Sequence, residues 1–267
     1  FDLKQMGMIQ ACDNAYFACP AFMVGKKNGS FRMVVDLRKV NDLCERSGHI
    51  LADLENQLSW LHSRIRYCGG LDMLSGFDLL RTYSKHVKYF GISTPWGVVL
   101  LLAAPMGFLA TPAIYMQRMI EYVLGGVGPE GLLGATPAGC LQWLDDTLLY
   151  VETFEQYAEV LRKVLSNCRK WKVRLNAEKC DIIASEITWC GRVISGGTWR
   201  FSREYFDKIL KIPVPENLEQ LEKIIYLATW ISQSIPRCSE FKGRLEELKT
   251  YIRSVEMTVR KRRMNMV

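Results

Sequence analysis

The sequence predicts a mixed α/β protein, with strand pairs closed by tight turns through the first 200 residues and helices alone beyond them. Three observations predict it. Asn28-Gly29, inside Lys26-Lys27-Asn28-Gly29-Ser30, supplies the positive φ a tight hairpin needs and separates two runs of strand formers. Thr153-Phe154-Glu155-Gln156 is a capping box ahead of Tyr157, Val160, Leu161, Val164, Leu165 and Cys168, which recur on one helical face. From Ser202 onward only helical signals remain, with Asn217 and Gln220 as a second capping pair before Leu221 to Ser232, so a domain boundary falls near residue 200.

In chain order, Ala21 to Asn41 reads as two strands around that turn, the second beginning Phe31-Arg32-Met33-Val34-Val35-Asp36-Leu37-Arg38. Leu51, Leu54, Leu58 and Leu61 recur at helical spacing. Gly70-Leu71-Asp72-Met73-Leu74 is a short apolar strand with one acid inside it. Phe90 to Ala104 predicts two strands around Thr94-Pro95-Trp96-Gly97. Thr111 followed by Pro112 reads as cap and first-turn proline of a helix that continues to Leu124. Gly125 to Gly139 reads as a Gly/Pro-rich loop. Strands at Cys140 to Leu144 and Thr147 to Val151 flank a turn at Asp145-Asp146. Short strands are expected at Val173-Arg174-Leu175, Ile187 to Cys190 and Arg192 to Ser195, the last leading into a Gly196-Gly197 hairpin turn.

With 267 residues, 49% hydrophobic and 24% charged, the chain has the composition of an ordinary globular protein, not of a disordered or collagen-like one. The longest apolar stretch, Val98 to Pro105, is far short of the roughly 20 residues that span a bilayer, so no membrane partner is expected. The net charge of +7 suits a polyanionic partner as well as a merely solvated basic surface. Nine cysteines without a C-x-x-C pair, and three histidines away from them, argue against structural zinc and for free thiols in a reducing compartment. No basic-then-apolar leader opens the chain. It starts at Phe1 in mid-pattern, and a piece of a longer polyprotein is expected.

The chemistry lies in the acids. Asp72 sits inside a strand and Asp145-Asp146 at the tip of a hairpin between apolar strands. Phosphoryl transfer uses divalent ions held by two or three carboxylates plus substrate phosphates, and acids on neighbouring strands of one sheet can converge on such a centre. An Asp-Asp pair also fills ordinary turns, and spacing alone does not choose between the two.

The ordered motifs choose. Lys26 to Arg32 followed by Val35-Asp36-Leu37-Arg38-Lys39-Val40-Asn41 resembles K-K-D-G-x-W-R…D-x-R-x-L-N of gypsy-type long-terminal-repeat retrotransposon reverse transcriptases and, more distantly, of retroviral ones. Leu71-Asp72-Met73-Leu74-Ser75-Gly76-Phe77 resembles L-D-L-x-S-G-Y/F, and Pro105-Met106-Gly107 with Thr111-Pro112-Ala113 and Gln117 resembles P-F-G-L-x-N-A-P-x-x-F-Q. Trp143-Leu144-Asp145-Asp146 stands for Y-x-D-D, Leu175 to Cys180 for L-N-x-x-K-C, and Trp189 to Ser195 for F-L-G-x-x-I-S; Ile212-Pro213-Val214-Pro215 also has a counterpart.

The resemblance implies a right-hand polymerase with an antiparallel palm sheet, helices on one of its faces, strand-rich fingers and a helical thumb. Fingers would be 1–45 and 80–108, palm 46–79 and 109–199, and thumb 200–267. Asp72, Asp145 and Asp146 would be catalytic, holding two Mg²⁺ ions (Mn²⁺ as the alternative). Lys27, with Lys26 equally placed, and Arg32 would contact the triphosphate of a deoxynucleotide. Phe77 would lie under the sugar and exclude a 2′-hydroxyl, with Met106 flanking that pocket. Lys179 would donate a proton near the leaving pyrophosphate. Trp189, Cys190 and Gly191 would grip the primer end. Partners would be a primed RNA or DNA template and dNTPs, and the location a retroelement particle in cytoplasm or nucleus.

The chain departs from the pattern at Trp143, Met106 and Ala110, matches only loosely over Asp78 to Tyr89, and is longer than expected over Gly125 to Gly139. The segment Lys249 to Val267, with Arg260-Lys261-Arg262-Arg263, leaves the pattern altogether; a basic grip on nucleic acid is one reading of it. The alternative to a polymerase is a decayed derivative that keeps the fold and binds nucleic acid. A two-metal nuclease would need further acids and histidines around the centre, and the three histidines lie outside the acid motifs.

Overall fold

The computed structural model describes residues 3–12, 15–25, 29, 31–45, 54–74, 76–125, 139–232 and 237–264, with side chains in the last helix described to residue 255. The chain divides into two compact units, 1–199 and 200–267.

The first unit opens with β1 (Ile9–Ala11), β2 (Cys19–Gly25) and β3 (Phe31–Val35). Two short helices follow, α1 (Arg38–Asp42) and α2 (Leu54–Leu58). Next come β4 (Tyr67–Leu74), β5 (Gly91–Thr94), β6 (Gly97–Leu101) and α3 (Thr111–Arg118), which runs on as a π-helical turn over Met119–Val123. The hairpin β7 (Cys140–Trp143) and β8 (Asp146–Val151) leads into α4 (Phe154–Trp171). The unit closes with β9 (Arg174–Leu175), β10 (Asp181–Ala184), β11 (Glu186–Trp189) and β12 (Arg192–Ser195), and β13 (Thr198–Phe201) runs across the division at residue 199.

One five-stranded sheet has the order β1-β6-β5-β2-β3. Within it β2 and β5 run parallel, and the other pairs are antiparallel. The central sheet, β10-β4-β8-β7 with β9 on the end of β4, is antiparallel throughout. A third sheet has the order β11-β12-β13.

The core of the central sheet shows why its strands read as apolar runs. Leu71 and Met73 of β4 and Leu149 and Val151 of β8 pack with Tyr115 and Met119 from α3 and its π turn, and with Tyr157, Val164 and Cys168 of α4, so both helices cover one face. Burying each large apolar side chain contributes about 1.5–3 kcal/mol. The Thr153 box caps α4 as read from sequence: Thr153 Oγ1 accepts from Gln156 N at 3.3 Å while Gln156 Oε1 accepts from Thr153 N at 3.1 Å. Lys172 closes that helix in the left-handed region, with φ of 58°.

Several expected boundaries move. The strand expected to reach Arg38 stops at Val35, because Asp36 accepts from the Arg38 backbone and guanidinium and turns the chain into α1. The helix expected from Leu51 to Leu61 is, among the described residues, only Leu54–Leu58. Thr111 is the first helical residue and not a side-chain cap; its hydroxyl donates to the Pro105 carbonyl at 3.2 Å. The turn expected at Asp145-Asp146 is Leu144-Asp145, since Trp143 pairs with Asp146. The expected loop over Gly125 to Gly139 lies, apart from its ends, outside the described residues. All nine cysteines are free.

The second unit carries α5 (Arg203–Leu210), α6 (Leu218–Ile231) and α7 (Cys238–Met264). Ser202 caps α5 and Asn217 caps α6. Leu221, Ile225, Ile231 and Cys238 are buried apolar residues of its helical part, and Arg253 of α7 pairs with Glu222 of α6. Among the described residues no helix is long and apolar enough to cross a membrane.

Candidate active site

Strand register builds the site. β4 and β8 lie side by side with Asp72 directly opposite Asp146, so two carboxylates share one edge of the central sheet. Asp145 precedes Asp146 at the β7–β8 turn, and its carbonyl accepts from Met73 N at 3.1 Å, which ties the tip to β4. Three acids thus meet at one strand end from two sequence segments.

The L-N-x-x-K-C stretch closes over them. Asn176 N donates to the Asp72 carbonyl at 2.9 Å, and Asp72 N donates to the Cys180 sulfur at 3.3 Å. A short 3₁₀ turn over Ala177–Lys179 presents Lys179, whose Nζ stands 3.5 Å from Asp72 Oδ2.

The electrostatics are those of crowded like charges. Asp145 is held above the ordinary carboxylate range, first by burial and then by Asp146 and Asp72, with Arg32 and Lys179 pulling the other way. Asp146, whose side chain reaches the surface, is also raised, by the protein packed around it and by Asp72. Asp145 Oδ1 is buried with no hydrogen-bond partner. Among the described residues no three His, Cys, Asp or Glu side chains are drawn onto one point at metal-ligand distance. The donor set nevertheless suits a hard divalent cation: oxygens only, mutually repelling, one of them without a donor.

Phe77 follows Gly76 just beyond β4 and packs edge-on against Tyr115, with ring centroids 5.1 Å apart. Gly76 is required there, because a Cβ would stand 2.2 Å from the Tyr115 hydroxyl. Met106 is exposed on a loop that Asn41 fixes: its amide donates to the Gly107 carbonyl at 2.9 Å and accepts from Leu109 N at 3.0 Å. Arg32 is exposed on β3 and close enough to act on Asp145. Lys26 and Lys27 lie outside the described residues.

The expected grip residues form a second hairpin tip. Trp189 pairs with Arg192, which leaves Cys190 and Gly191 as a two-residue turn with φ of 49° and 76°. Cys190 therefore belongs to the turn and not to the strand expected through it. The Trp189 ring is buried, and Asp146 raises the Cys190 thiol further beyond what burial does. The two tips are electrostatically within reach of each other.

Sequence reading missed Tyr115. Its hydroxyl is buried without a partner, and its ionisation is opposed by burial first and by Asp145, Cys168, Asp72 and Asp146 after it. The tyrosine stands in a helical apolar stripe, and nothing in the sequence marks its tip as one the acids act on.

A model of the reverse transcriptase (RNA-dependent DNA polymerase) family matches residues 24–194. The Tf2-3 polyprotein of the Schizosaccharomyces pombe transposon is 25% identical over 231 residues, covering 86% of this chain and 17% of the polyprotein, and the Tf2-7 polyprotein matches to the same extent. The chain therefore spans about a sixth of the length of these relatives. A foamy viral protease-reverse transcriptase solved with double-stranded DNA superposes with a TM-score of 0.79 at 23% identity, over 94% of this chain and 42% of that one. The same enzyme type with an RNA/DNA hybrid gives 0.75 at 22%, over 94% and 32%. The overall fold is that of these structures, the right-hand polymerase architecture that the motifs imply.

Proposed function

We propose that this chain, which belongs to the reverse transcriptase family, extends a primer with deoxynucleotides on an RNA or DNA template by metal-assisted phosphoryl transfer. The observation that carries the reading is the meeting of Asp72, Asp145, Asp146 and Lys179 at one edge of the central sheet, in the β4–β8 register that sets Asp72 against Asp146. Fingers at 1–45 and 80–108, palm at 46–79 and 109–199 and thumb at 200–267 fit the strand-rich start, the antiparallel central sheet and the helical second unit.

Asp72, Asp145 and Asp146 would hold the Mg²⁺ ions, and the ions would supply Lewis-acid activation of the primer 3′-hydroxyl and charge neutralisation at the leaving pyrophosphate. Lys179, within 3.5 Å of Asp72, is placed to give a proton to the departing pyrophosphate oxygen. Arg32, with Lys27 or Lys26, draws the triphosphate in by charge-assisted bonds. Phe77, backed by Tyr115, is a wall with little freedom to yield to a 2′-hydroxyl. Met106 shapes the far side of that pocket from its Asn41-fixed loop. Trp189, Cys190 and Gly191 support the primer end.

Primer extension by the purified chain on a primed RNA template, with and without Mg²⁺, tests the reading. Metal-dependent extension is expected. A folded chain that binds the primed template yet extends nothing would overturn it in favour of a retained fold whose chemistry has been lost.

A further inference from the structure

Five polar or charged side chains are buried among the described residues, namely Gln57, Thr111, Gln142, Thr147 and Arg192, and four of them converge on one short helix. A buried polar group is costly unless it is hydrogen-bonded, so their gathering around α2 calls for a cause. Gln57 Oε1 accepts from Gln142 N at 3.0 Å. The Gln142 side chain donates to the Leu144 carbonyl at 2.5 Å and accepts from the Thr147 hydroxyl at 2.5 Å. This network grips the β7–β8 turn at the residue before Asp145.

Glu55, two positions earlier on the same helix, points elsewhere, since residues i and i+2 do not share a helical face. It accepts from Arg192, which is fully buried with its guanidinium 4.9 Å from the centroid of the Trp199 ring. Arg192 directly follows the Cys190-Gly191 turn. Behind it the Gly197 backbone presses on the chain after α2, where a Cβ would stand 1.6 Å from the His62 carbonyl oxygen. One five-residue helix therefore holds both hairpin tips, each through its own side chain.

We propose that α2 is a brace that sets the position of the Cys190-Gly191 tip relative to the Asp145 tip, with Glu55, Gln57, Gln142 and Arg192 as its positioning residues. The proposal rests on the polymerase reading in one respect: the primer end is taken to lie at the Cys190-Gly191 tip. A brace of this kind matters because displacing reacting groups by about 1 Å can cost on the order of 100-fold in rate.

A double-substitution cycle tests it. Gln57→Met cuts the tie to the catalytic tip at unchanged side-chain length, and Arg192→Met cuts the tie to the other while keeping most of the apolar stem. Each single variant is expected to lose about 10-fold to 100-fold in kcat, with KM for the nucleotide and binding of primed template within about 3-fold of the unsubstituted chain. The double variant is expected to be no more than about 3-fold worse than the weaker single one, because a register lost once cannot be lost twice. Losses that multiply would overturn the brace and leave two local supports. Glu55→Gln, a milder break of the Arg192 tie, should repeat the pattern if Arg192→Met does not fold.

Amide exchange in the absence of substrates separates this outcome from failure of the polymerase reading. The brace requires that either substitution speeds exchange at both tips, Asp145 and Gly191, whether or not the chain polymerises. Faster exchange confined to the tip whose tie was cut would refute it.

Discussion

Two of the first unit's hairpins, β5–β6 and β7–β8, close with two-residue turns and do so by opposite means. In β5–β6 the turn is self-sufficient: Thr94 Oγ1 accepts from Trp96 N at 3.3 Å and donates to the Gly97 carbonyl at 2.6 Å. Trp96 is 92% exposed, and Gly97 carries the positive φ with nothing around it. In β7–β8 the first turn residue, Leu144, is no turn former. Leu144 takes a φ of 50°, and Asp145 keeps a buried oxygen without a partner. A left-handed non-glycine residue costs about 1–3 kcal/mol, and here the surroundings impose it, through Gln142, Thr147 and Gln57. A turn that only reverses the chain is built from its own residues. The turn that carries Asp145 is held from its flanks by Gln142 and Thr147 and from 85 residues away by Gln57.

The sharpest break of that contrast is Asp145→Asn. Extension should fall by on the order of 1,000-fold or more, the scale of losing one electrostatic anchor of a transition state. The fold should not suffer. Asp145 is raised above its ordinary range, so its ionised form is disfavoured by folding, a penalty absent at low pH and incurred as pH rises through the folded pKa. The amide removes that penalty, and in metal-free buffer at pH 7 the variant should melt no lower than the unsubstituted chain. Wild-type extension rates in this variant would end the catalytic assignment. Phe77→Ala comes next, weakening discrimination against ribonucleotides by about 10-fold to 100-fold, measured as the ratio of kcat/KM for the two sugars. An unchanged ratio would remove Phe77 from the sugar wall and leave it a packing partner of Tyr115.

The same contrast explains what could be read from the sequence. Devices that close within a few residues were legible: the Thr153–Gln156 box, the Asn217 cap, the turns at Thr94 to Gly97 and Gly196-Gly197, and the strand runs around Asp72 and Asp145. The acids could be listed, but that Asp72 faces Asp146 follows from register between strands more than 70 residues apart. Gln57 and Gln142 gave no signal at all, because a glutamine in a polar-apolar pattern looks exposed until its partner, 85 residues away, is known. Arg192 read as one residue of a motif, while its burial against Glu55 and Trp199 is purely tertiary. Strands β1 and β10 escaped notice because they are short and mostly exposed, and their pairing comes from β6 and β4.

Two threonines allow the hairpins to be compared like for like. Thr147→Val leaves Gln142 Oε1 buried without its donor, which should cost about 1–3 kcal/mol and reduce kcat several-fold by loosening the Asp145 tip. Thr94→Val cuts equivalent bonds in water, where solvent replaces them, and should cost under about 1 kcal/mol with unchanged kcat. Denaturant melts and single-nucleotide extension measure both effects. Equal stability losses, or an effect of Thr94→Val on kcat, would mean that the two turns are held alike.

The last pair of variants sets backbone strain added against backbone strain relieved. Gly97→Ala puts a Cβ on a residue with φ of 113°, with no clash but with backbone strain, and should destabilise by about 1–2 kcal/mol. Leu144→Gly relieves a left-handed leucine, yet gives back part of that gain because glycine has more freedom to lose on folding and the half-buried leucine side chain is gone. The net change in stability should be within about 1 kcal/mol of zero. Catalysis should separate them again. Gly97→Ala leaves extension untouched, whereas Leu144→Gly frees the residue that fixes the direction of Asp145 and lowers kcat while KM for the nucleotide holds. Such a variant, as stable as its parent and slower, would show that the strain at Leu144 is kept for aim and not for stability. If Leu144→Gly is instead as fast as the unsubstituted chain, the hydrogen bonds from Gln142 alone hold the tip, and the left-handed leucine is a consequence of that grip with no part in it.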